Sequence, residues 1–309
     1  MYPEHNVRNI NKPEVKRTII SIVFLMISLL LTACLRYDLR TLPVVSDYLP
    51  DPVVETKYLR VGVVSGPYQE MFEVAVLTAL QEMGYNASFV YFSDYTSPNF
   101  ALADNEIDLN IFQHYVYLNT FKFENDLALS AIMEIPTVSM RIFSNRFNDI
   151  NEISPGITIS IPGDASNLAR ALRVLEAANM ITLDPAIDKL RATINDIVDN
   201  PYSIIFVPVP AHELVESLKT YDMSVVNGNY AISGGLNLSE ALFRETLVDN
   251  YMNVIAVRTD DLNKQFVRDI IEIMYSDSFL DIIADPDGNY IGFQWPRWFH
   301  DAMQTRNET

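Results

Sequence analysis

Cysteine occurs once in 309 residues, histidine four times and glycine only ten times. One thiol leaves no partner for a disulfide within the chain. The histidines, at positions 5, 114, 212 and 300, are too scattered to set up a metal-ligand spacing with the cysteine. With so little glycine there is no G-x-S-x-G elbow, Walker loop or G-x-G-x-x-G fingerprint. Basic residues are also few: 22 Lys and Arg stand against 40 Asp and Glu, a net charge of −18. Nucleic-acid binding needs a basic footprint, which this balance does not provide. No carboxylate pair is set apart as a general acid and base, so catalysis has little to rest on.

What the chain does have is apolar mass. Hydrophobic residues make up 49% of it, and the length suits two lobes of ordinary domain size. The beginning has a separate pattern. A basic stretch ends at Lys16-Arg17, an apolar run covers Thr18 to Ala33, and Leu31-Thr32-Ala33-Cys34 closes it. The run is shorter than the roughly 20 residues of a spanning helix and has the plan of a secretory signal peptide. The closing tetrapeptide is a lipobox, in which small side chains flank the cut and the thiol takes a diacylglycerol. The alternative is an uncleaved anchor with an incidental cysteine. Lipidation also accounts for a lone cysteine in an exported chain. Residues 1–33 are therefore expected to be a leader, Cys34 a lipid anchor, and 34–56, with three prolines, a tether.

Beyond the tether, short apolar runs alternate with helical periodicity. "KYLRVGVVSG" reads as a buried strand, and the following helix places Met71, Val74, Leu77 and Leu80 on one face, with Gly84 as its cap. "ASFVYF", "IDLNIF", "GITISIP", "SIIFVPV", "MSVVNG" and "NVIAVR" are further strands, most followed by helices. Such alternation predicts parallel sheets flanked by helices, in two α/β units with a cleft at the strands' carboxyl ends.

Three stretches carry binding chemistry. In "IPGDASNLARAL", Asp164 or Ser166 can cap a helix, which puts Asn167 and Arg170 on one face. A cation there opposes the helix dipole, so Arg170 is either a surface or ion-paired residue or the partner of a bound anion. In either case a first-turn arginine is expected outside the core. In "VVNGNYAI", Asn227 ends a strand and can both donate and accept, and Gly228 permits close approach; the plainer reading is an Asn-Gly turn. In "DLNIFQHYVYL", Phe112 closes a strand, with His114 and Tyr117 three apart on the helix expected to start there. Tyr95 follows another strand end. These rings are either ordinary core or a box suited to a polarizable thioether.

Together these segments resemble the NlpA family of methionine-binding lipoproteins that feed ABC importers. The similarity runs from about Leu59 to Phe279 through "VGVVSGPYQE", "FSDYTSPNFALADNEIDLNIFQHYVYL", "IPGDASNLARALRVLEAANMITL", "NDIVDNP" and "VVNGNYAISGGL". It implies a periplasmic-binding-protein fold, two α/β lobes joined by a hinge around a ligand cleft. Lobe 1 would comprise 57–138 and 253–309, and lobe 2 would comprise 139–252. By motif, Tyr95, Phe112, His114 and Tyr117 match the family's side-chain pocket. Asn167, Arg170 and Asn227 match the positions that grip the α-carboxylate and α-amino groups. Three places depart from the usual text: Tyr68 stands for a histidine, Gly163 for an asparagine, and "IPTVSMRIFS" lacks a Gly-Leu-Tyr. The ligand implied is L- or D-methionine, with another apolar amino acid or a methionine dipeptide as alternatives. The partners implied are an ABC permease with its ATPase, and the membrane through the lipid anchor, on the periplasmic or outer side. No cofactor, metal or nucleic acid is expected, and no enzymatic activity, although the same fold also carries enzymes.

Overall fold

The computed structural model describes residues 58–308. The expected leader, the lipidation at Cys34 and the tether lie outside the described residues.

The first strand, β1 (Tyr58–Val64), buries Leu59, Val61, Val63 and Val64. Helix α1 runs Tyr68–Phe72, passes through a π-helical turn at Glu73–Leu77 and continues over Thr78–Glu82. Met71, Leu77 and Leu80 are buried as their spacing predicts, but Val74 is exposed. The wider turn takes an extra residue and swings the apolar face, so that Ala75 and Val76 fill the place expected for Val74.

The chain continues through β2 (Asn86–Phe92), α2 (Ser97–Ala103), β3 (Leu109–His114), α3 (Tyr115–Glu124) and β4 (Leu129–Ile135). It then crosses, over 136–140, to a second body. That body holds β5 (Arg141–Phe143), β6 (Thr158–Pro162), α4 (Ala165–Ala177) and a small ribbon of β7 (Thr182–Leu183) and β8 (Ile197–Asp199). Next come β9 (Ile205–Val209), α5 (Leu214–Ser217), β10 (Met223–Val226), α6 (Gly228–Ser233) and β11 (Phe243–Arg244). A second crossing, over 245–252, returns the chain to β12 (Asn253–Arg258), α7 (Gln265–Met274), α8 (Asp277–Ala284) and α9 (Arg297–Glu308).

One sheet has the order β2-β1-β3-β12-β4 and the other β11-β5-β10-β6-β9. The helical alternation predicts parallel sheets, and β1–β3 and β6, β9 and β10 do pair in parallel. The strands next to the crossings do not: β12 is antiparallel to β3 and β4, and β5 is antiparallel to β10. A strand entered from the other lobe, with no helix to reverse it, arrives in the opposite direction. Each sheet has its own apolar core. A third cluster joins Val64, Phe112, Tyr117 and Phe121 of the first lobe to Leu214, Val226 and Tyr230 of the second.

The C-terminal segment packs on the crossings. Gln294 exchanges backbone hydrogen bonds with Thr137 on the first crossing (2.9 and 2.8 Å). Its side-chain oxygen accepts from Leu247 N–H (2.8 Å) on the second, and its amide donates to Glu245 O (3.2 Å). Phe293 and Phe299 beside it are buried in the first core.

Candidate ligand-binding site

A cavity lies between the lobes. Tyr95, Phe112, His114 and Tyr117 of the first lobe line it, and so do Asn167, Arg170 and Asn227 of the second. The geometry thus brings together every residue that the sequence singled out for the pocket. It adds Tyr68, Gln113, Val138, Gly228, Asn229 and Asn253. Position next to a recognised residue was the one signal available for Gln113 and Asn229, while Gly228 is marked in the sequence by the close approach it permits.

Strand ends place the aromatic wall. Tyr95 follows β2, and its ring lies 5.6 Å from Phe112 and 5.8 Å from Tyr117, centroid to centroid. Tyr230 of the second lobe closes on Tyr95 at 5.1 Å. His114 does not sit on a helix, as its spacing from Tyr117 suggested. It ends β3 and caps α3, with Nδ1 accepting the Tyr117 N–H (3.1 Å). The extended strand persists because β12 pairs with it as far as His114. Burial, and then the charge of Arg170, push the His114 pKa well below its ordinary value. The ring is therefore neutral at pH 7, and with Nδ1 accepting, its proton is on Nε2.

That proton begins a directed chain. His114 Nε2–H donates to Asn167 Oδ1 (3.2 Å), which also accepts from Asn227 Nδ2 (2.7 Å). Asn167 Nδ2 donates to both carboxylate oxygens of Asp164 (3.1 Å each), the residue that caps α4 by accepting the Asn167 N–H. Every amide in the chain is thereby oriented, and Asn227 Oδ1 is left buried without a hydrogen-bond partner among the described residues. A buried acceptor of this kind calls for a donor such as an ammonium.

Arg170 departs from expectation. It is buried, not peripheral, and its guanidinium forks onto Glu245: Nε to Oε1 at 2.9 Å and Nη2 to Oε2 at 2.6 Å. The return crossing carries Glu245 to α4, which gives the arginine a buried counter-charge that α4 itself lacks. The Tyr251 ring lies 5.0 Å from the guanidinium carbon, with His114 at 5.0 Å from that ring. Among the described residues Nη1 of Arg170 has no hydrogen-bond partner, so its N–H groups, on a fixed cation, remain for the cavity.

The lobes are held shut by direct bonds. Tyr95 OH donates to Asn229 Oδ1 (2.6 Å), Asn229 Nδ2 donates to Ser65 O (3.0 Å), and Tyr230 OH donates to Ser93 O (3.1 Å). Glycine permits the approach at two points. A β-carbon on Gly66 (φ +143°) would come within 2.6 Å of the Asn229 Cβ, and one on Gly228 within 2.7 Å of the Ser139 carbonyl. Among the described residues no group of three or more His, Cys, Asp or Glu could hold a metal, and no helix is long and apolar enough to cross a membrane.

Two α/β lobes joined by two crossings, with a cavity between them, define the periplasmic substrate-binding class. A solved structure of that kind, the periplasmic substrate-binding protein of an ABC transporter from Coxiella burnetii, is 36% identical with a TM-score of 0.68, covering 72% of this chain and 94% of that one. A nutrient-binding protein from Burkholderia cenocepacia, solved bound to methionine, is 29% identical with a TM-score of 0.69, covering 74% and 95%. The probable D-methionine-binding lipoprotein MetQ of Haemophilus influenzae is 32% identical over 228 residues, 73% of this chain and 83% of the relative. Residues 59–298 match the NlpA lipoprotein family, and the chain belongs to it.

Proposed function

We propose that this protein is the methionine receptor of an ABC importer, anchored by a lipid on Cys34 and closing on one amino acid between its lobes. The observation that carries this reading is the pairing inside one cavity. An aromatic box from the first lobe faces a fixed cation and an unsatisfied amide oxygen from the second. The rings Tyr95, Phe112 and Tyr117 suit a thioether, at about 0.3–1.5 kcal/mol per sulfur–aromatic contact. Arg170 Nη1 offers a donor to the carboxylate, and Asn227 Oδ1 offers an acceptor to the ammonium. The crossings at 136–140 and 245–252 act as the hinge, and closure completes a site begun on the first lobe. The receptor does no chemistry of its own. It delivers its ligand to a permease with a cytoplasmic ATPase, while the tether 34–56 lets the body stand off the membrane.

Native mass spectrometry of the purified protein, followed by calorimetry, tests this reading. Methionine should co-purify or bind with one-to-one stoichiometry, and titration with each enantiomer ranks L against D. Norleucine should bind about 1 kcal/mol more weakly, since only the sulfur contacts differ. Lysine or glutamate as the best ligand would overturn the assignment.

A further inference from the structure

We propose that Tyr68 is a further ligand-binding residue, its phenolic hydroxyl donating a hydrogen bond to the ligand carboxylate opposite Arg170. This rests on the reading of the cavity as an amino-acid site. A carboxylate presents two oxygens, and an arginine normally meets both with a two-point fork. The Nε–Nη2 edge of Arg170 is already given to Glu245, so only Nη1 and the second Nη2 N–H can face the ligand. A buried carboxylate has about four acceptor sites on its two oxygens, so sites remain for a donor from elsewhere.

The other side-chain donors around the cavity are largely committed. The Tyr95 hydroxyl serves Asn229, His114 Nε2–H serves Asn167, and Asn227 Nδ2 serves Asn167. Tyr68 differs. It lines the cavity from α1 and is only 2% exposed. Its hydroxyl oxygen accepts the Val138 N–H (3.3 Å) from the first crossing, which leaves the hydroxyl proton to be placed. The neighbouring Thr137 hydroxyl already donates to Ile135 O (2.7 Å) and accepts from Asn253 N–H (2.8 Å). A carboxylate is a stronger acceptor than a neutral hydroxyl and draws the proton into the cavity. Burial raises the phenol's pKa, so it is a donor and not a phenolate throughout the physiological range. Tyr68 and Arg170 sit on different lobes, so the two donors would meet across the carboxylate only when the lobes close.

Tyr68→Phe tests the proposal, since it keeps the ring against Phe293 (6.5 Å) and removes only the hydroxyl. Two readouts are needed: calorimetry with methionine, and the infrared carboxylate stretch of bound methionine carrying a ¹³C carboxyl group. The expected result is a loss of about tenfold in affinity, the size of one hydrogen bond to a charged group, together with a shifted carboxylate band. Affinity within about twofold of wild type would overturn the proposal. So would a weakened variant whose band stays in place, because Tyr68 would then only brace the Val138 backbone. Wild-type protein that binds no methionine would overturn the reading of the site itself, and this proposal with it.

Discussion

Arg170 and Glu245 form a buried ion pair, and under the proposed reading Arg170 also meets the ligand. Both are buried, 75 positions apart in the chain, and Glu245 Oε2 also accepts the Met140 N–H (2.9 Å). Removing one charge strands the other in a poorly solvated place, at a cost of about 3–5 kcal/mol. Arg170→Ala should therefore lower the stability measured by urea unfolding of the empty protein by that order, and also abolish the methionine-induced rise in melting temperature. Replacing both residues separates the two roles. Arg170→Ala with Glu245→Ala should recover much of the lost stability and none of the ligand response. A double variant that regains the ligand shift would mean that Arg170 serves only the pair.

At the scale of elements, the site depends on which strand ends face each other across the cleft. Asn229, at the start of α6, bonds to two points of the other lobe, after β1 and after β2. Asn229→Ala should loosen the closed arrangement without altering Asn167, Arg170 or Asn227. Small-angle scattering of the empty variant should show a larger radius of gyration, and the affinities for L- and D-methionine should fall by the same factor. Unequal losses would mean that Asn229 contacts the ligand itself. The sequence reveals much of this arrangement and conceals a definite part. Apolar runs such as that of β1 and the cap at Asp164 are local patterns, so most strands and α4 could be read from them, whereas the seven pocket residues are singled out by resemblance to the family. Glu245 could not be, because "FRETLVDNY" has no period and its partner lies on a helix made much earlier. Tyr68 was noticed only as a departure from the family text, since nothing near it in the chain places its hydroxyl against Val138. Val74 reads as core until a π-helical turn rotates the face, and no residue type announces that turn. The direction of β12 likewise follows from the path between lobes, which composition does not encode.

For the whole molecule, the position of β12 fixes an order of events. It pairs with β3 on one side and β4 on the other, and it is made only after every strand of the second sheet. The second sheet is drawn from one continuous stretch, whereas the first is missing an interior strand until that whole stretch has been made. A chain emerging N-terminus first can therefore complete its second lobe while the first still has a gap between β3 and β4, a gap whose closure spans the entire other lobe. Pulsed hydrogen exchange during refolding should find the amides of β6 and β10 protected before those of β4 and β12. Simultaneous protection would show that the lobes fold as one unit. Until β12 arrives, β3 and β4 present unpaired backbone to anything extended nearby, which is how strands aggregate. The last strand to be made is thus what ends the danger, and Gln294 then fastens both crossings behind it. Truncation just before Asn253, which removes β12, should yield a chain prone to self-association even though Tyr95, Phe112, His114, Tyr117, Asn167, Arg170 and Asn227 are all present.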